Sequence, residues 1–114
     1  MNFSIDKQDN YTIVKVTVEK LDTTIAPSLK SELVILNAHG AKNLIIDMES
    51  ARYCDSSGLS VLLVANRLCK NVGGKFVLSG LQKSVEKLIK ISQLDTVLNI
   101  TSNLEEAKKV LEEA

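Results

Sequence analysis

The stretch RYCDSSGLSVLLVANRL, residues 52–68, sets Asp55, Ser56, Ser57 and Gly58 directly before an apolar run. Hydroxyls beside a carboxylate at such a place can act as nucleophiles, as phosphoryl acceptors or as the cap of a helix. A nucleophile needs a base, and the sequence offers one histidine, His39, in the NAHG segment that reads as a helix stop. The G-x-S-x-G pattern that raises a serine on a strained elbow is missing as well, so acyl transfer has little behind it. Capping needs only that Asp55 or Ser56 precede the helix that runs from Leu59 onward. Phosphoryl acceptance remains to be weighed against that cap.

Other chemistries fall away on residue type. Gly74-Lys75 resembles the end of a phosphate-binding loop, but Phe76 stands where Ser or Thr must hold the metal and Cys69 where the first glycine belongs. A strand-opening turn fits better. Asp47 closes the LIIDM run, and Asp22 and Asp55 could join it in a carboxylate cluster of the receiver type that binds a divalent cation. That architecture, however, opens with a strand and a helix, whereas this chain opens with a hairpin signal. Cys54 and Cys69 have no second pair and no nearby histidine, so they read as buried free thiols rather than metal ligands. No metal and no cofactor is expected.

On a helical wheel of about 100° per residue, Val61, Leu62, Ala65, Leu68, Cys69 and Val72 fall on one side. Ser60, Asn66, Arg67, Lys70 and Asn71 fall on the other, together with Leu59, Leu63 and Val64. Those three are expected to be exposed, and apolar groups beside hydroxyls suggest a surface that a partner covers. Gly58, with no side chain, would let that partner approach closely. A phosphoryl group on Ser56 adds about −1.5 to −2 charges at a helix N-terminus, which welcomes an anion. A partner would have to desolvate that dianion, and a penalty of roughly 3–4 kcal/mol would weaken binding about 100- to 1000-fold. A change nearly neutral for the free chain and severe for a complex is what a switch requires.

The elements that must hold these residues follow from periodicity. The 114 residues, 45% apolar and 25% charged, suit one domain spanning 1–114 with a core built from Leu, Ile and Val. Fourteen basic residues balance fourteen acidic ones, which argues against a nucleic-acid partner. No apolar run approaches the roughly 20 residues of a membrane span, so a cytoplasmic protein without a membrane partner is expected. FSIDKQDNYTIVKVTV reads as a hairpin, with Ile13, Lys15 and Thr17 alternating against Val14, Val16 and Val18. LDTTIAPSLKSELVILNAHG opens with capping residues and gives a helix of about three turns that stops at Gly40. KNLIIDM, GGKFVLSG and TVLNI read as strands, while residues 59–72, QKSVEKLIKISQL and NLEEAKKVLEEA read as helices. The order ββαβαβαβα predicts an α/β fold, a small mixed sheet with helices packed on it and right-handed crossovers.

This order, together with LDTTIAPSLKSEL, LIIDMESARYCDSSGLSVLL and GGKFVLSGLQKSVEKLIKISQLDTVLNI, resembles the STAS domain of bacterial anti-sigma factor antagonists over essentially the whole chain. Its centre is the D-S-[ST]-G-L signature, here DSSGL. The resemblance implies a non-enzymatic binding protein that sequesters an anti-sigma factor, itself a serine kinase, and so frees a sigma factor. The kinase would phosphorylate Ser56, with Ser57 the alternative acceptor, and abolish binding; a PP2C-type phosphatase would restore it. Asp22 corresponds to the family's acidic position at the mouth of the first helix. The implied partner surface is Asp22, Thr24, Asp55, Ser57, Gly58, Leu59, Leu63 and Arg67. Glu19 and Lys20 depart from the Gly-Glu common before the hydrophobe and Asp, Cys54 replaces a frequent Met, and Ser60 a frequent Gly. The competing expectation is the same fold as an adaptor subunit of another signalling or lipid-transport assembly, with no phosphoswitch.

Overall fold

The computed structural model describes residues 2–112; the last two residues of the expected terminal helix, 113 and 114, lie outside the described residues. The strands are β1 (Phe3–Lys7), β2 (Thr12–Val16), β3 (Lys20–Leu21), β4 (Leu44–Asp47), β5 (Tyr53–Cys54), β6 (Phe76–Ser79) and β7 (Asn99–Thr101). The helices are α1 (Ala26–Ala38), α2 (Ser56–Asn71), α3 (Lys83–Ile91) and α4 (Leu104–Glu112), with a 3-10 turn at Leu94–Thr96. Five strands form one sheet in the order β1-β2-β4-β6-β7, antiparallel between β1 and β2 and parallel elsewhere. The hairpin, the strand–helix alternation and the mixed sheet agree with the order read from the sequence.

Parallel strands are covered on both faces because their crossover helices lie there, and LIID and FVLS are accordingly buried at every position. On one face Val14, Val16, Leu44, Ile46, Phe76 and Leu78 share a core with α1, α2 and α3. On the other, Ile13, Ile45 and Val77 pack against Ala107 of α4. This second layer explains why Ile13 is buried although Lys15 and Thr17, which alternate with the same period, are exposed. Helix α4 covers the middle of that face and not its end.

Strands β3 and β5, which the sequence reading did not anticipate, pair in parallel as a second, two-stranded sheet, Lys20 opposite Tyr53 and Leu21 opposite Cys54. The Arg52 and Tyr53 main-chain N–H groups both donate to the Glu19 carbonyl, at 2.8 and 3.0 Å. This small pairing ties the entrance of α1 to the entrance of α2, residues more than thirty positions apart in the chain.

Candidate functional site

Helix α2 begins where Asp55 sits in extended conformation, and its Oδ1 accepts a 3.1 Å hydrogen bond from the Gly58 N–H. The cap is therefore Asp55. Ser56 follows as the first helical residue, exposed, and its hydroxyl makes no hydrogen bond among the described residues. The main-chain N–H groups of Ser56 and Ser57 also lie in the first turn, where no intrahelical acceptor exists. Ser57 is half-buried and held: its Oγ lies 3.3 Å from Thr23 Oγ1, which is 3.4 Å from Asp55 Oδ2.

The loop before α1 faces this turn. Thr24 donates its N–H and its hydroxyl to Asp22 Oδ1, at 3.0 and 2.7 Å. These bonds favour the ionised carboxylate, so the Asp22 pKa is held below the ordinary aspartate value, the Thr24 hydroxyl contributing most. The expected side-chain cap of α1 is not found. Its N-cap is Ile25, which has none to offer, and Asp22 closes the preceding turn instead. Pro27 occupies the first turn as expected.

Gly58 is buried and serves the fold rather than an approaching partner. A Cβ there would lie 2.5 Å from both the Leu21 carbonyl oxygen and Cys54 Sγ, so the missing side chain is what lets α2 sit on the β3–β5 pair. Leu59 is likewise not displayed, being only 9% exposed and part of the core. Leu63 and Val64 are half-buried rather than open. The wheel places these residues outward because it considers α2 against the sheet alone, whereas α1 and the β5–α3 side also cover it. For the same reason Asn66 is buried, whereas Val72 lies past the last residue of α2 and is exposed. Arg67 remains on the open face.

Two depressions flank the Ser56 turn. One, about 470 Å³, lies between the entrance of α2 and α3 and is lined by Arg52, Tyr53, Asp55, Ser56, Leu59 and Leu88, among others. The other, about 350 Å³, is lined by Lys20, Asp22, Thr23, Thr24, Tyr53 and Asp55. Tyr53, 52% exposed, stands between them. The sequence carries no local signal for Thr23, a polar residue 32 positions from its partner, and for Tyr53 the one signal is an aromatic beside DSSG.

The other candidates do not assemble. His39 ends α1, about 20 Å along that helix from its start beside the site. Asp47 is buried and accepts from the Glu49 N–H at 3.0 Å, and no group of three or more His, Cys, Asp or Glu able to hold a metal occurs among the described residues. Cys54 and Cys69 are buried free thiols. Burial, with Asp55 adding to it, raises the Cys54 pKa to about 12; burial raises Cys69 to about 11.

The residues that converge here are those of the DSSGL signature, and the model of the STAS domain matches residues 2–107. The chain belongs to the STAS domain family. An anti-sigma-B factor antagonist of Bacillus subtilis (strain 168) is 30% identical to this STAS domain over 106 residues, covering 92% of this chain and 96% of that protein. A variant of RsbS from Moorella thermoacetica superposes with a TM-score of 0.80 at 26% identity, covering 98% and 96% of the two chains. The anti-sigma factor antagonist SpoIIAA, unphosphorylated, superposes with a TM-score of 0.77 at 16% identity, covering 98% and 99%. The phosphorylated SpoIIAA of Bacillus gives 0.74 at 18% identity, covering 95% and 98%. These last two likenesses show the fold. No helix among the described residues is long and apolar enough to cross a membrane.

Proposed function

We propose that this STAS domain is an anti-sigma factor antagonist whose unphosphorylated form binds an anti-sigma factor that is also a serine kinase, thereby releasing a sigma factor. The role is regulatory and involves no catalysis by this chain. Phosphorylation of Ser56 by the bound kinase switches it off, and a PP2C-type phosphatase resets it. The observation that carries this reading is the free, exposed hydroxyl of Ser56 beside a cap supplied by Asp55. Relatedness to the antagonist of Bacillus subtilis supports it. The docking face comprises Asp22, Thr24, the turn Asp55–Ser57 and the open side of α2 at Leu63 and Arg67, with Leu59 and Gly58 supporting it from beneath.

Ser56 also separates the switch from a helix-capping role. A phosphoryl group there breaks no internal hydrogen bond and meets a helix N-terminus that favours it. The test is to incubate the purified protein with ATP and the serine kinases of its own cell, then locate phosphate by peptide mass spectrometry. Phosphate on Ser56, with at least a 100-fold weaker complex afterwards and for Ser56→Asp, is expected. Phosphate on a distant residue only, or a Ser56→Asp variant that keeps its partner, would refute the switch.

A further inference from the structure

We propose that Arg52 is the built-in receptor for the phosphoryl group on Ser56, pairing with it across the depression that both residues line. This rests on the phosphoswitch reading above and goes beyond it by assigning the residue that holds the modified state. Arg52 is exposed, and its guanidinium makes no ion pair among the described residues. Its backbone, by contrast, is fixed. Its N–H donates to the Glu19 carbonyl at 2.8 Å, and its own carbonyl accepts from the Ser84 hydroxyl of α3. A cation on a pinned backbone with a free head is suited to a group that comes and goes.

The charges around Ser56 leave it little competition. Within the shared depression Asp55 is the other charged residue, and its carboxylate is engaged with the Gly58 N–H and the Thr23 hydroxyl. Tyr53 and Cys54 are the remaining titratable groups there, and α3 with its C-cap contributes only Ser84, Leu88 and Ser92, none of them charged. Lys20 and Asp22 belong to the neighbouring depression, beyond Tyr53. A phosphoryl group on Ser56 would be repelled by Asp55 and drawn toward the guanidinium, whose planar fork matches phosphate oxygens.

Such pairing favours the dianion over the monoanion. A phosphoserine with its second pKa near about 6 keeps roughly a tenth of its population as monoanion at pH 7. An exposed cation lowering that pKa by about 0.5–1 unit cuts this fraction to about 1–3%. The state that a partner must desolvate at greatest cost is then populated almost completely.

The test installs phosphoserine at position 56 by semisynthesis, independently of any kinase, and titrates it by 31P NMR. The expected result is that Arg52→Gln raises the second pKa by about 0.5–1 unit, that Arg52→Lys lies between, and that Lys20→Gln moves it less than Arg52→Gln does. Because the bonds made by Arg52 are main-chain ones, the variants should keep the parent's thermal midpoint. A titration unchanged by Arg52→Gln, or shifted equally by Lys20→Gln, overturns the assignment. Failure of the functional reading shows elsewhere: phosphorylated and unmodified chains would bind the kinase equally, whatever the titration gives.

Discussion

Replacing Gly58 by Ala sets two local effects of opposite sign against each other, and the geometry says which wins. Alanine is the better helix former, and in an open helix the change would stabilise by up to about 1 kcal/mol. Here the added Cβ would lie 2.5 Å from the Leu21 carbonyl oxygen, 2.5 Å from Cys54 Sγ and 3.0 Å from Leu21 Cγ. The carbonyl is backbone, held in the β3–β5 pairing, and the sulfur is buried, so neither can swing aside. Relief requires α2 to lift off the small sheet by several tenths of an ångström or more. Overpacking of this kind costs about 1–3 kcal/mol; at the middle of that range, about 2 kcal/mol, the net loss after the propensity gain is about 1 kcal/mol. With a urea dependence of about 1–3 kcal/mol per molar for small proteins, the unfolding midpoint should fall by about 0.3–1 M, followed by far-ultraviolet circular dichroism. A midpoint equal to or above the parent's would mean that Gly58 is not wedged against Leu21.

Two further outcomes follow from the same geometry. Asp55→Ala should cost about 1 kcal/mol because it removes the cap of α2, whereas Ser56→Ala should stay within about 0.5 kcal/mol; equal losses in urea unfolding would return the capping role to Ser56. The thiols set an alkaline limit. Their folded pKa values, about 12 for Cys54 and about 11 for Cys69, lie above the roughly 8.5 of an unfolded cysteine. Their contribution is whole below pH about 8.5 and is lost as pH rises from there toward the folded values, because only the unfolded chain ionises in that window. The urea midpoint should therefore drop between pH 8 and pH 10 by less in a Cys54→Ala, Cys69→Ala variant than in the parent; parallel profiles would show the thiols to be accessible to ionisation when folded.

The strand–helix order was legible because each main element is long enough to show its period: thirteen residues in α1, sixteen in α2, and fully apolar runs in β4 and β6. What escaped has physical causes. Two residues carry no period, so β3 and β5 left no mark, yet their pairing is what brings Asp22–Thr24 beside Asp55–Ser57. A wheel puts Leu59 and Asn66 outward because it measures one helix against one surface, while α2 is covered from several sides. Ile13 shared its alternation with Lys15, and only the presence of α4 beneath decides that the first is buried and the second is not. The signature itself was readable, but the division of labour within it was not: sequence leaves Asp55 and Ser56 as equal candidates for the cap, and a single hydrogen bond to Gly58 separates them.

That division is what makes adjacent serines unequal. If Ser56 capped α2, adding phosphate would trade one interaction for another and the energy of the helix would be coupled to the switch. With Asp55 as the cap, α2 keeps its first turn in either state, and the modification is felt only by whatever packs against the turn. Ser57 offers no such separation, because its hydroxyl is shared with Thr23 of the loop before α1 and the residue is half-buried. A phosphoryl group there would break the Thr23 contact and stand against the Asp55 carboxylate that the same threonine approaches at 3.4 Å. The proposed switch thus falls on Ser56 by exclusion of cost: it is the hydroxyl of the pair whose modification breaks no hydrogen bond of the fold.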